Sequence, residues 1–494
     1  MALPYRGAFA PRTAVFEGSV YGWVIGIGTP VVYVLGLLHA YDAIMKTRTA
    51  QGATAWAISL VTIPLVAIPL YWIFGRAKFD EYIQALRGLD EEIEVRLGDA
   101  RRGVLAEFLA HPEDERGELQ AFHRLATLPF TRANGARLLI NGEATFEAIF
   151  AAIERAERYV LAQFYIIHDD EVGRQFKERL LAKARQGVPV YLLYDEIGCY
   201  GLPRAYVDEL REAGVRVSDF GGKRSWLGRF RLNFRNHRKI VVVDGRVAFM
   251  GGLNVGDEYL GHDEKIGNWR DTHLEVCGPA VQGVQLSFVR DWYYSASERP
   301  EGMEWTPIAS AEDRCALVLA SGPADRLETC GLLYTHLIES AEERVWIATP
   351  YFVPDGRVMG ALQLAALRGV DVRILMPRTT DLALFRFVPY AYLADVERAG
   401  VKTFLYEDGF LHQKVALVDH AYAAISTANL DNRSFLFNFE LTVLINDEPF
   451  AADVERMLLE DFTRSTLIGT ADLEERPFWF RPAVQVTRLL SPIL

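Results

Sequence analysis

RNHRKIVVVDGRVAFMGGLN, residues 235–254, and LHQKVALVDHAYAAISTANLDNRS, residues 411–434, are two versions of one segment. Each has a lysine at +2, an aspartate at +7 and an asparagine at +17 from a histidine, giving His237, Lys239, Asp244, Asn254 and His412, Lys414, Asp419, Asn429. A β-branched run follows each lysine and ends in a turn signal, Asp-Gly or Asp-His. The flanks repeat as well. FYIIHDD (164–170), a helix and KARQGVPVYLLYD (183–195) are echoed by PYFVPDG (350–356), a helix and ALRGVDVRILMP (366–377). Strands alternating with helices predict an α/β fold, and long-period repetition predicts duplicated units. The simplest division is a first lobe over 131–310 and a second over 311–494.

The spacing carries chemistry. Residues two apart on an extended segment point to the same face, so each histidine lies beside its lysine, a nucleophile next to a cation. Such a pair suits a phosphate group. A second strand returns the chain through small residues and brings the asparagine back, and lysine and asparagine supply donors where charge grows on non-bridging oxygens. A single His-x-Lys is more often an ordinary surface or core pair. Two copies with four matching residues at the same spacing in equivalent places point to catalysis.

The bulk properties bound the rest. The chain has 494 residues, 50% of them apolar, and a net charge of −12. An acidic chain of this size argues against wrapping nucleic acid. Its four cysteines, Cys199, Cys277, Cys315 and Cys330, form no CxxC pair, and a reduced, cytosol-facing environment is the default.

Two stretches without charge, Val20–Leu38 and Ala55–Phe74, open the chain. Each is long enough as a helix to cross about 30 Å of hydrocarbon, and together they predict a transmembrane hairpin within residues 1–78. A cleaved signal peptide is the alternative for the first. Arg6, Arg12, Arg76, Lys78 and Arg87 on the outer flanks, against Lys46 and Arg48 in the loop, lean towards cytoplasmic termini. Residues 79–130 read as a charged helical connector, with Tyr82, Leu86, Leu89 and Ile93 at helical spacing.

Two further segments bear on a lipid partner. Residues 221–239 interleave seven Lys or Arg residues with Trp226, Leu227, Phe230, Leu232 and Phe234. They read as an interfacial loop or as a basic stretch packed around the site. LALFRFVPYAYL (382–393) reads equally as a membrane-facing element or a buried helix.

The paired segments resemble the HKD motifs of the phospholipase D superfamily, and the second continues as that family's does with Asn429, Asp431, Arg433, Ser434, Asn438 and Glu440. ATPYFVPD (348–355), LAALRGVDVRILMP (364–377), WRDTHLEVCGPAV (269–281) and FGR (74–76) resemble bacterial cardiolipin synthases. Ser426-Thr427 departs from the family's usual Gly-Ser, although Thr427 keeps a hydroxyl for phosphate.

The resemblance implies two pseudo-symmetric phospholipase D-like lobes, each an α/β/α sandwich, whose histidines meet at one phosphodiester. It implies a membrane phosphatidyltransferase, multi-pass in the bacterial inner membrane with a cytoplasmic catalytic region. Two phosphatidylglycerols would give cardiolipin and glycerol through a phosphatidyl-histidine, with His237 as nucleophile and His412 as acid, then base. No metal or other cofactor is required, since two lysines neutralise the phosphate. Alignment of RDTHLEV (270–276) with FELTVLI (439–445) makes Asp271 and Glu440 candidates for orienting the histidines, or else ordinary strand-end acids. A hydrolase giving phosphatidic acid, an HKD nuclease and a degenerate scaffold are the other readings. The acceptor lipid, phosphatidylglycerol or phosphatidylethanolamine, is open, and so is assembly into a homo-oligomer.

Overall fold

The computed structural model describes residues 14–47, 49–75, 79, 81–89, 106–110, 118–221, 233–262, 267–380 and 385–489, with side chains from residue 28 onward apart from residue 385. The described residues form two compact units, an N-terminal one up to residue 75 and a large one that begins at Phe79.

In the N-terminal unit α1 (Ala14–Lys46) is followed by α2 (Ala50–Thr62) and α3 (Pro64–Phe74). Within α1, Gly28–Lys46 is long and apolar enough to cross a membrane. The expected second crossing is not one helix. It breaks at Ile63, whose φ of −133° and ψ of 56° leave the helical region. The cause is local: a residue before proline is pushed out of the α conformation, and Pro64 has no N–H to continue the ladder. The pieces, 13 and 11 residues long, are each shorter than a span. Among the described residues Gly28–Lys46 alone meets the length and hydropathy of a span as a single helix, and a second crossing by the kinked α2–α3 run is not shown. The helices meet along Ala40, Ala43, Leu60, Ala67, Ile68 and Tyr71. Small residues allow the close approach, since a Cβ on Gly36 would lie 2.4 Å from the Leu60 carbonyl. Arg6, Arg12, Arg48, Arg76, Lys78 and Ile93 lie outside the described residues, as do 222–232 of the basic loop and 382–384.

The large unit is built on one sheet. Its first seven strands are β1 (Thr131–Ile140), β2 (Val160–Phe164), β3 (Val190–Asp195), β4 (Arg216–Phe220), β5 (Ile240–Val243), β6 (Val247–Gly251) and β7 (Thr272–Cys277). The next seven are β8 (Arg314–Ser321), β9 (Arg344–Ala348), β10 (Asp371–Pro377), β11 (Lys402–Tyr406), β12 (Val415–Val418), β13 (Tyr422–Ser426) and β14 (Asn438–Asn446), with β15 (Ser465–Ile468) at the edge. From the middle outward the strands run β1-β7-β6-β5-β2-β3-β4 on one side and β8-β14-β13-β12-β9-β10-β11-β15 on the other. Seven strands thus recur in the same order, and β1 pairs antiparallel with β8 at the centre.

In each half three strands are parallel, β2-β3-β4 and β9-β10-β11. Helices such as Glu171–Arg185 and Gly356–Leu367 connect them, because a parallel pair needs a crossover. One core lies on the face covered by helices Val281–Ala296 and Glu448–Thr463, and spans both halves. Each half has a separate core on its other face, so the layers are helix, sheet, helix. Residues 81–89 form a helix that buries Tyr82, Leu86 and Leu89 in the shared core. Val388, Tyr390, Ala391 and Leu393 are also buried, which favours the buried-helix reading for that part of 382–393.

Candidate active site

Each histidine is anchored through its backbone to the opposite half. Arg235–Asn236 pairs in parallel with β14, and the His237 N–H donates to the Phe439 carbonyl at 3.0 Å. In the second half Phe410–Leu411 pairs with Trp269–Arg270, and the His412 N–H donates to the Arg270 carbonyl at 2.8 Å. The alternation read from the sequence then puts each lysine beside its histidine. Lys239 Nζ donates to the His237 carbonyl at 2.6 Å and Lys414 Nζ to that of His412 at 2.5 Å. Lys414 Nζ also lies 3.0 Å from both nitrogens of the His412 ring.

The acids Asp271 and Glu440 both reach a histidine, and they do so crosswise. His237 Nδ1 lies 3.0 Å from each carboxylate oxygen of Glu440, and His412 Nδ1 lies 2.8 Å from Asp271 Oδ2. Both carboxylates are fully buried. Thr427 completes the first pair: its hydroxyl donates to Glu440 at 2.6 Å and accepts the Leu441 N–H at 2.9 Å. The hydroxyl expected at the phosphate thus faces the acid. In the other half Gly252 stands at the corresponding place. A Cβ there would lie 2.1 Å from Asp271 Oδ1, so only glycine leaves room for that carboxylate.

Burial sets the electrostatics. Removal from water pushes the His237 imidazole down to about 4, Glu440 opposing and Lys239 and Lys414 adding to the shift. Burial, then Lys414 and Lys239, push His412 down to about 3 against the pull of Asp271. Burial also holds the Lys239 ammonium well below its usual range, with Lys414 adding to it. Each lysine therefore acts on the histidine of the other half, and the two motifs share one field. Asp271 and Glu440 are held below the usual carboxylate range although burial works against it. The His412 ring and Lys414 do this for Asp271, and the His237 ring and Lys239 for Glu440.

The two motif aspartates are engaged elsewhere, and each motif asparagine keeps one Nδ2 hydrogen beyond its local bonds. Asp244 accepts the N–H groups of Glu157, Arg158 and Tyr159 at 2.9, 2.8 and 2.9 Å. Asp419 accepts those of Glu342, Glu343 and Arg344 at 3.0, 2.8 and 2.9 Å. Both sit at positive φ, 56° and 50°, at the far end of a four-residue strand and five residues from the lysine, roughly 16 Å along the chain. Asn254 accepts the Ile166 N–H and donates to the Tyr259 hydroxyl, each at 3.1 Å. Asn429 donates to Asp431 at 3.1 Å.

Several buried polar residues were not singled out in the sequence: Arg238 and Asp291, paired at 2.7 Å, and Arg270 of the first half with Gln413 and Asp461 of the second. One signal was available. VQLSFVRDWYYS (284–295) and VERMLLEDFTRS (454–465) carry Asp291 and Asp461 at the same place.

A family model described as "Cardiolipin synthase, PLD-like domain" matches residues 149–292 and 334–462, taking in both motifs. A cardiolipin synthase A of Pseudomonas fluorescens is 46% identical over 483 residues, 97% of this chain and 99% of the relative. The chain belongs to the cardiolipin synthase family. Another P. fluorescens strain has a cardiolipin synthase A that is 48% identical over 94% of this chain and 97% of its own. The cardiolipin synthase fold seen here also resembles that of a phosphatidylserine synthase from Haemophilus influenzae. That crystal structure matches with a TM-score of 0.57 at 15% identity, over 77% of this chain and 100% of its own.

Proposed function

We propose that this enzyme condenses two phosphatidylglycerols into cardiolipin and glycerol. The observation that carries the reading is the pair of buried histidines, each held by a carboxylate of the opposite half, in a member of this family. A carboxylate on Nδ1 fixes the N–H there and leaves Nε2 free to attack or to carry a proton.

His237 Nε2 attacks phosphorus, and the bond from phosphorus to the glycerol oxygen breaks. The leaving oxygen takes a proton from His412. The second phosphatidylglycerol then gives its hydroxyl proton to His412 as its oxygen attacks phosphorus. The phosphorus–nitrogen bond breaks and His237 is regenerated. Lys239 and Lys414 stabilise charge on the non-bridging oxygens, with one further Nδ2 hydrogen each from Asn254 and Asn429. The site without lipid favours neutral imidazoles. A bound phosphodiester anion supplies the charge that lets His412 carry its proton. Asp244 and Asp419 act one step removed, by fixing the turns from which β5 and β12 are hung.

The N-terminal unit anchors the enzyme to the bacterial inner membrane. Support comes from the apolar length of Gly28–Lys46 and from Val31, Val34, Leu37, Leu65 and Val66, all exposed on α1 and α3. The basic outer flanks favour a cytoplasmic catalytic unit.

The deciding experiment supplies full-length enzyme with vesicles of phosphatidylglycerol and weighs the products. Cardiolipin and glycerol in equal amounts are expected. Phosphatidic acid without cardiolipin would make the enzyme a hydrolase.

A further inference from the structure

We propose that two buried arginine–aspartate pairs, Arg238–Asp291 and Arg270–Asp461, are positioning residues that fix the spacing between each histidine and its carboxylate. The inference rests on the roles just given to His237 and His412.

Arg238 lies between His237 and Lys239, so strand alternation turns its side chain away from theirs. It is buried, and its three guanidinium nitrogens are all engaged. Nη1 donates to Asp291 Oδ2 at 2.7 Å, Nε to the Glu440 carbonyl at 3.0 Å and Nη2 to the Ser321 carbonyl at 3.1 Å. One side chain thus joins the residue next to His237 to the backbone of Glu440, the partner of that ring. Asp291, fully buried on helix Val281–Ala296, also accepts Asn236 Nδ2 at 2.8 Å and so holds both neighbours of His237. Gln163 and the Tyr82 hydroxyl donate to it as well, each at 2.8 Å.

The second half reaches the same result from other positions. Asp461, at the matching place on helix Glu448–Thr463, accepts Gln413 Nε2 at 2.7 Å, and Gln413 follows His412. It accepts Arg270 through Nε and Nη2 at 2.7 and 2.8 Å, and Arg270 Nη1 donates to the Asp271 carbonyl at 2.8 Å. In both halves a helix-borne aspartate grips the residue after the histidine, and an arginine bound to that aspartate grips the carbonyl of the orienting acid. In the first half the arginine follows the histidine. Around His412 the arginine comes from the first half and precedes the acid.

Stability alone does not call for this arrangement. A buried ion pair replaced by well-packed apolar groups often leaves a protein as stable or more so. What apolar groups cannot supply is a set of directional bonds to two particular carbonyls, and misplacement by about 1 Å is enough to cost on the order of a hundredfold in rate.

The test is an apolar replacement of the first pair, Arg238→Met with Asp291→Leu, in the full-length enzyme. Turnover of phosphatidylglycerol vesicles, the melting temperature and formation of phosphatidyl-enzyme on His237 are read together. The expected result is a lower melting temperature, because Asn236, Gln163 and Tyr82 lose their acceptor, with KM of the folded enzyme within about twofold and kcat and the rate of covalent labelling both lower by about tenfold or more. Native kcat in the folded double variant would overturn the proposal. If that variant does not fold, Arg238→Lys decides by the same criteria, because lysine keeps the charge and loses the fork. His237→Ala with full turnover would instead sink the catalytic reading beneath it.

Discussion

Glu440 holds the ring of His237 from the opposite half of the sheet, both carboxylate oxygens lying 3.0 Å from Nδ1. Asp271 does the same for His412 at 2.8 Å. Neither half holds a complete histidine–carboxylate pair, so each acid can be removed while its histidine stays in the other half of the chain.

Glu440→Gln and Asp271→Asn keep shape and remove charge. Each is expected to lower kcat by roughly 10³–10⁴, the scale of losing the carboxylate behind a catalytic histidine, while KM moves little. Turnover on phosphatidylglycerol vesicles checks this. A loss below about threefold would return both acids to ordinary structural roles.

The two histidines separate on a donor whose leaving group needs no proton, such as the p-nitrophenyl ester of phosphatidic acid. His412→Ala should still release a stoichiometric burst of p-nitrophenol and trap the lipid on His237, because only acid–base help is lost. His237→Ala should give no burst. The reverse pattern would exchange the two roles.

Acid sensitivity follows from the buried rings. With His237 pushed down to about 4 and His412 to about 3, both stay neutral in the folded enzyme where free imidazole, near 6.5, has begun to charge. Between about pH 4 and pH 6.5 the unfolded chain binds more protons, so stability rises with pH across that window and is lost as pH falls through it. The lowered carboxyls of Asp271 and Glu440 add a loss of the same sign at lower pH. Melting temperature from pH 7 to 4.5 should fall in the native enzyme and fall less in a His237→Gln, His412→Gln variant. Equal slopes would show that neither ring titrates as its burial dictates.

Gly252→Ala places a methyl where Asp271 Oδ1 now sits. It should displace that carboxylate from His412 and lower kcat on the order of a hundredfold. Thr427→Ala, which removes one donor from Glu440, should cost stability by about 1–2 kcal/mol and kcat by less. Comparable kcat losses in the two variants would contradict the difference in packing between the halves.

Asp244→Ala and Asp419→Ala each strip three backbone N–H groups of their acceptor. About 3 kcal/mol of stability should go with each, read as a lower melting temperature. The folded fraction should keep its kcat. A dead but fully stable variant would put the aspartate back among the reacting groups.

The duplicated offsets made the two halves, the histidines and the lysines legible, because an HxK alternation on a strand has only one geometry. Asp271 and Glu440 were legible as acids on aligned strands. That each crosses to the other half depends on β7 and β14 flanking the central β1–β8 pair, an order that no local pattern encodes. Asp244 and Asp419 were correctly placed at strand ends, yet sequence distance alone did not show how far a strand end lies from the phosphate. Arg238 was hidden because the middle residue of HxK reads as outward-facing, and Asp291 because helix Val281–Ala296 is buried on nearly every side. The kink at Ile63–Pro64 was foreshadowed by the proline, which membrane helices tolerate, so hydropathy showed the apolar length but not the bend.

The pairing of β1 with β8 means that one half expressed alone would open an unpaired strand edge at the old midline. Exposed edges recruit partners, and another copy of the same half would present a matching strand. Such a truncated protein is expected to dimerise edge to edge and, with two identical motifs facing each other, to rebuild a histidine pair from a gene of half the length.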